Sequence, residues 1–284
     1  LSTATTIEDV MAGRARYVVV CADNRVVLPT LPDKSVDAVI SDAPYSAHVH
    51  GKSRRGASLP DGRGERWHGE SRGGDACLSR ARDLGFESIT PELMTACAAA
   101  FGRCVRRWVL EFCDDEIAGD WRAAFLGAGL QHIRVGHWRK VGCTPQFTGD
   151  RPGSDSEAIV IAHPPGRKRW NGGGTWATWT HPIALQRGDG TLRVHTTQKP
   201  ESLMLELVSL FTDPDELILD PFCGSGTTGV AALRLGRRFI GIEMNETYAA
   251  VARERLEAET RGLSLTASRH GQTSIFDVIN TETK

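Results

Sequence analysis

The stretch ELILDPFCGSGTTGVAALRLGRRFIGIE, residues 216–243, constrains the fold of this chain more than any other. LILD is a short apolar run of strand length, and glycines at 224, 226 and 229 follow at the spacing of a nucleotide-binding turn. VAALRLG then has helical character and RRFIGIE reads as a second strand. A strand–loop–helix–strand unit of this kind implies an α/β fold with a mostly parallel sheet. Its glycines let the backbone turn tightly and approach a ligand. NAD, FAD, a nucleotide phosphate or S-adenosylmethionine are the candidates. Glu243, ending the second strand, can accept hydrogen bonds from ribose hydroxyls. Asp220, ending the first, suits a cationic ligand better than a diphosphate on Coulomb grounds, which favours S-adenosylmethionine. No GK[ST] follows at the spacing of a Walker phosphate loop.

Composition bounds the rest. The 284 residues suffice for one large domain or a domain with insertions. Hydrophobic residues at 40% and charged residues at 24% are ordinary for a globular chain. No apolar run approaches the ~18 residues needed to cross a bilayer. LSTATTIEDV lacks the basic start and apolar core of a signal peptide. Seven cysteines without C-x-x-C pairs argue against a disulfide framework or zinc ribbon and read as reduced, packed thiols, with no metal expected. The net charge is −1, yet residues 51–80 hold seven Lys/Arg against four Asp/Glu and residues 134–193 nine against four. Such local basic surfaces fit phosphate-backbone contact by one face of the molecule.

Along the chain, RYVVV (16–20), VDAVISD (36–42), WVLEFCD, HIRVGHWRK and SEAIVIAHP are expected strands. Helices are expected over TPELMTACAAAFGRCVRRW from Thr90, DEIAGDWRAAFLGAG, PESLMLELVSLFT and NETYAAVARERLEAE. Residues 46–89 form a Gly-, Arg- and Ser-rich insertion, and 166–194 are loop-like with three of the seven tryptophans. The tail from 261 is polar and weakly patterned.

At the end of the second expected strand stands Asp42-Ala43-Pro44-Tyr45. The lone pair of an exocyclic base amine is delocalised into the ring, so the nitrogen is a poor nucleophile. Two acceptors bonding both N–H groups localise that lone pair and relieve charge developing in the transition state. The Asp42 carboxylate and Ala43 carbonyl can supply such a pair, although taken alone the tetrapeptide reads equally as a strand end followed by a proline turn. Tyr45 supplies an aromatic face to stack on an extruded base.

DAPY, HTTQKPESLM, DPFCGSGTTG and RRFIGIE, in that order, make residues 16–256 resemble the DNA amino-methyltransferases that use S-adenosylmethionine, in the β-type motif order. The resemblance implies a Rossmann-like α/β fold with helices on both faces (the class I methyltransferase fold) and loop insertions for target recognition. It implies a catalytic half formed by 1–45 and 90–165, and a DNA-contacting insertion at 46–89. A target-recognition segment at 166–194, an S-adenosylmethionine-binding half at 195–260 and a tail at 261–284 complete the division. The cofactor-binding residues it implies are Asp23, His195, Thr197, Lys199, Pro200, Asp220, Pro221, Phe222, Gly224, Ser225, Gly226, Thr227 and Glu243. The implied reaction is methyl transfer to a flipped base, with adenine N6 favoured over cytosine N4 by the Asp-led tetrapeptide. The implied partner is double-stranded DNA, without a membrane; a homodimer and a cognate restriction enzyme stay open, and the implied location is the cytoplasm, for a prokaryotic or phage-encoded protein. The rival reading, a dinucleotide-dependent oxidoreductase, accounts for the glycine loop but gives DAPY and HTTQKP no purpose.

The tetrapeptide departs from the family, which usually has Pro-Pro at its centre. Alanine keeps the acceptor carbonyl, so Ala43→Pro is expected to be neutral or better unless the Ala43 N–H holds a needed hydrogen bond. Tyr45→Phe is expected to cost little because the ring is kept.

Overall fold

The computed structural model describes residues 5–46, 88–143, 152–183 and 198–263. Eight strands form one sheet: β1 (Tyr17–Cys21), β2 (Val36–Ser41), β3 (Val105–Cys113), β4 (Gln131–Val141), β5 (Ser156–His163), β6 (Thr178–Pro182), β7 (Leu217–Asp220) and β8 (Arg238–Glu243). Their spatial order is β1-β8-β7-β2-β3-β5-β4-β6. Only the β3–β5 and β4–β5 pairings are antiparallel, so the expected mostly parallel sheet is observed with β5 reversed.

The two-residue period of the buried strands sorts their side chains into two cores. Val109, Val160, Leu217 and Leu219 face one layer, made by α1 (Ile7–Met11), α2 (Asn24–Val27), α3 (Pro91–Cys104) and α4 (Ala118–Gly127). Leu110, Phe112, Ile159, Ile218 and Phe239 face the other, made by α5 (Glu201–Phe211), α6 (Thr227–Arg234) and α7 (Glu246–Thr260). Helices therefore cover both faces, as expected for a Rossmann-like α/β fold.

Three local expectations are corrected. The helix read from Thr90 through Trp108 ends at Cys104, because Val105 turns extended and pairs with Val36 while Trp108 pairs with Ala38. Thr90 caps that helix by accepting the Leu93 N–H. NRVVLPTLPDKS (24–35), whose polar and proline punctuation reads as a connection between the first two strands, contains the short helix α2, capped by the Asp23 side chain. Within the segment read as loop, residues 178–182 form β6, paired parallel to β4. Its Trp179 is buried, and Trp170 packs edge-on against Trp108 and Phe211. Trp176 is 86% exposed, so two of the three tryptophans are anchors and one faces outward.

No helix among the described residues is long and apolar enough to cross a membrane. Among them, no cluster of three or more His, Cys, Asp or Glu could hold a metal ion.

Candidate active site

The sheet order reverses between β7 and β2. The chain proceeds from β7 outward to β8, and from β2 in the other direction to β3. Open α/β sheets bind ligands at such a switch point, beyond the carboxyl ends of the strands. Asp220 ends β7 and Asp42 follows β2, and these strands are paired at Val39–Leu219. The two sequence motifs, about 180 residues apart, are thereby neighbours. A cavity of about 970 Å³ spans both, lined by the whole Asp42–Tyr45 tetrapeptide, by Lys199, by most of the glycine loop and by Asp23 and Glu243.

On the cofactor side, Gly226 caps α6 with φ 80°. A Cβ there would lie 2.9 Å from Leu256 and 3.0 Å from Ala252, so both conformation and space demand glycine. Gly224 has φ 50° and open space where a Cβ would point. Glu243 clamps the loop: Oε2 accepts the Gly224 N–H at 2.9 Å and Oε1 the Asn245 N–H at 2.8 Å. Burial raises its carboxyl above the usual range against the pull of those N–H groups. Asp220 is buried, and burial pushes its carboxyl up to about 7, with the Phe222 N–H and Thr228 hydroxyl partly offsetting this. Asp23 is paired to Arg25, which holds its carboxyl below the usual range. The Pro221 carbonyl accepts from Asn24, and partly buried Phe222 packs on the first core. Thr227 begins α6 and Pro200 precedes α5 as its cap residue. His195 and Thr197 lie outside the described residues.

Sequence reasoning missed Arg255. It reaches from α7 beneath the loop, donating to the Ser225 carbonyl at 2.7 Å, to the Thr227 hydroxyl at 3.2 Å and to Glu201 at 2.9 Å. One buried guanidinium therefore ties the glycine loop to the residue after Lys199-Pro200.

On the tetrapeptide side, Lys199 does not point at the glycine loop. Its ammonium donates to Asp42 Oδ1 and Oδ2 at 2.8 and 2.7 Å and to the Tyr45 hydroxyl at 3.0 Å. Tyr45 in turn donates to Glu157 Oε2 at 2.6 Å. Glu157 also pairs with Lys199 at 3.1 Å and with Lys140 at 2.7 Å. Burial opposes ionisation of Glu157, but the Lys199 and Lys140 ammoniums outweigh it and hold its carboxyl at about 2. Burial raises the Asp42 carboxyl, against the attraction of Lys199 and with the repulsion of Glu157. Glu157 could not be placed from sequence because its role depends on strand direction. Only a reversed β5 brings its first residues to the edge where the parallel strands end. A carboxylate at the start of SEAIVIAH was the available signal.

The tetrapeptide backbone is also held. The Ala43 N–H donates to Glu111 Oε1 at 3.0 Å, and the Ser46 N–H donates to Asp114 Oδ2 at 2.8 Å. The condition attached to Ala43→Pro is thus met, so neutrality is no longer the expected result. The Tyr45 hydroxyl is likewise engaged, so Tyr45→Phe removes a buried donor to Glu157 and an acceptor from Lys199.

Residues 112–254 match the family described as DNA methylase, of the N6/N4 methyltransferase type. The chain belongs to this DNA methylase family. Among curated relatives, it is 58% identical over 65 residues to the type II methyltransferase M2.DpnII of Streptococcus pneumoniae, covering 23% of this chain and 24% of that one. It is 25% identical over 248 residues to the type II methyltransferase M.HinfI of Haemophilus influenzae, covering 81% of this chain and 65% of that one. The chain thus spans less than two thirds of the length of either relative. Among solved structures, that of the M1.HpyAVI–SAM complex is similar in fold, with a TM-score of 0.57 at 23% identity over 84% of this chain and all of that one.

Proposed function

We propose that this DNA methylase family member transfers a methyl group from S-adenosylmethionine to the exocyclic amine of a base flipped out of double-stranded DNA, with adenine N6 as the target. The observation that carries the reading is the single cavity joining Asp42, Ala43 and Tyr45 to the glycine loop across the β7/β2 switch.

The residues present fit the cofactor: carboxylates at Asp23, Asp220 and Glu243 offer acceptors for hydroxyls and attraction for a cation, and open space at Gly224 permits close approach. When bound, S-adenosylmethionine supplies an electrophilic methyl group on a sulfonium. Asp42 and the Ala43 carbonyl accept the two amine hydrogens, which localises the nitrogen lone pair. Lys199 is drawn off Asp42 toward Glu157 as the amine arrives, its charge still compensated there. The proton lost by the amine passes to Asp42, whose partly buried carboxyl has a raised proton affinity. Tyr45 stacks on the base, and the segment that carries Arg167, Lys168, Arg169 and the outward-facing Trp176 offers contact to the duplex. Sedimentation would reveal a homodimer, and protection from an endonuclease of the same host would reveal a restriction partner.

The test is incubation with labelled S-adenosylmethionine and unmodified DNA, then digestion to nucleosides. Label in N6-methyladenine is expected. Label in N4-methylcytosine moves the target base, and unlabelled DNA removes the proposal.

Two further outcomes follow from the site. Calorimetry is expected to show binding of S-adenosylmethionine and none of NAD, with affinity rising between pH 6 and 7.5. The rise comes from Asp220, which ionises near 7 in the free protein and attracts a cation only when ionised. Asp42 and Glu243 add repulsion to that ionisation. Asp220→Asn should flatten the slope, and an unchanged slope removes Asp220 from the cation site. For Tyr45, replacement by Ala should weaken productive DNA engagement by roughly 1–3 kcal/mol through lost stacking. Phe should restore DNA affinity but leave single-turnover methylation several-fold low. If Ala methylates duplex DNA as wild type does, Tyr45 is a packing residue.

A further inference from the structure

Glu111 occupies a position that the two-residue period of β3 assigns to an apolar side chain. Its neighbours on that face, Val109 and Cys113, are fully buried in the core beneath α3 and α4. Glu111 is also 0% exposed, without a cation on it: Oε1 accepts the Ala43 N–H, and Oε2 has no hydrogen-bond partner among the described residues. Burial pushes its carboxyl far above the usual range. A buried, half-satisfied carboxyl is costly in a core; the Ser41 hydroxyl also acts on it, but the hydrogen bond it makes with full geometry falls on the backbone of the tetrapeptide.

That contact has a geometric consequence. The direction of the Ala43 carbonyl depends on φ and ψ of residue 43. Pro44 biases ψ of the preceding residue toward extended values, but alanine leaves φ unrestrained. The hydrogen bond from the Ala43 N–H to Glu111 supplies that restraint and fixes the plane of the Asp42–Ala43 peptide. A proline at 43 would fix φ through its ring and has no N–H to satisfy. Alanine with glutamate, and proline with an apolar residue, are therefore two equivalent ways to hold one backbone.

Resting on the methyltransferase reading, we propose that Glu111 is a positioning residue that aims the Asp42 carboxylate and the Ala43 carbonyl at the target amine by holding the Ala43 N–H. The experiment compares Glu111→Leu, Glu111→Gln, Ala43→Pro and the double variant Ala43→Pro/Glu111→Leu in steady-state methylation of DNA, with calorimetric S-adenosylmethionine binding and thermal melting alongside. Leu fits the apolar face, so Glu111→Leu should melt no lower than wild type while kcat falls by roughly tenfold to a hundredfold, the scale of a small misplacement of reacting groups. Cofactor affinity should stay unchanged. Ala43→Pro alone should fall similarly, having stranded Glu111. The double variant should recover to within about fivefold of wild type, and Glu111→Gln, which keeps an acceptor oxygen for the Ala43 N–H, should recover likewise. Wild-type kcat in Glu111→Leu overturns the inference, as does a double variant no better than the product of its singles or a Gln variant as poor as Leu. Wild-type protein that methylates no DNA removes the methyltransferase reading itself, and this inference falls with it.

Discussion

Asp42→Ala is expected to cut single-turnover methyl transfer by roughly a hundredfold or more, the usual cost of losing one preorganised partner of the reacting group, with S-adenosylmethionine affinity within a few-fold of wild type. The asymmetry follows from position. Asp42 lies across the switch from the glycine loop, and its carboxylate is assigned to an amine whose N–H groups become more acidic as the methyl group is transferred. Its interaction therefore strengthens in the transition state and appears in turnover, not in cofactor binding. The fold should tolerate the change, because Lys199 keeps Glu157 and the Tyr45 hydroxyl when Asp42 is gone. Asp42→Asn separates two parts of the role: it retains one acceptor oxygen but neither the charge nor the capacity to take the proton, so it should fall between wild type and Ala. Turnover of Asp42→Ala within a few-fold of wild type would falsify the assignment.

How far the sequence reached depended on whether a signal was local. The glycine loop and its flanking strands could be read because their period and punctuation lie within 28 consecutive residues, and β7, α6 and β8 follow them closely. The same holds for α5 and α7, whose apolar positions recur at helical spacing. The junction of α3 and β3 is hidden in the sequence because no glycine or proline follows Cys104, and Gly102 lies inside the helix: only pairing with β2 decides that Val105 is extended. β6 was missed for a similar reason, since five residues with one buried tryptophan carry no period of their own. The site divides the same way. Motif residues could be named, but what holds them could not. Glu111, Glu157 and Arg255 act across elements far apart in sequence, and in isolation each looks like an ordinary surface charge.

Lys199→Leu is expected to lower stability by about 3 kcal/mol at neutral pH, the lower end of the range for removing one partner of a buried ion pair, because Asp42 stays partly open to solvent. Lys199 is 7% exposed and is the cation that Asp42 and Glu157 share. Without it two carboxylates face each other across a buried site, with only Lys140 left to compensate Glu157. The pH dependence identifies the cause. Wild-type Glu157 ionises near 2, below its ordinary value of 4.5, so its ion pairs stabilise the fold above about 4.5 and that contribution is lost as pH falls toward 2. In Lys199→Leu both carboxylates take up protons at higher pH, which relieves their repulsion. The gap in melting temperature between wild type and Lys199→Leu should therefore be widest near neutral pH, begin to close above 4.5 as the variant's carboxylates take up protons, and close further below about 4.5 as wild type loses the Glu157 ion pairs. A gap that persists unchanged at pH 3 would mean that Lys199 stabilises through its cation–π contacts with Phe112 and Tyr45, where its ammonium lies 5.0 and 5.2 Å from the ring centres, and not by balancing the acids that hold the target amine.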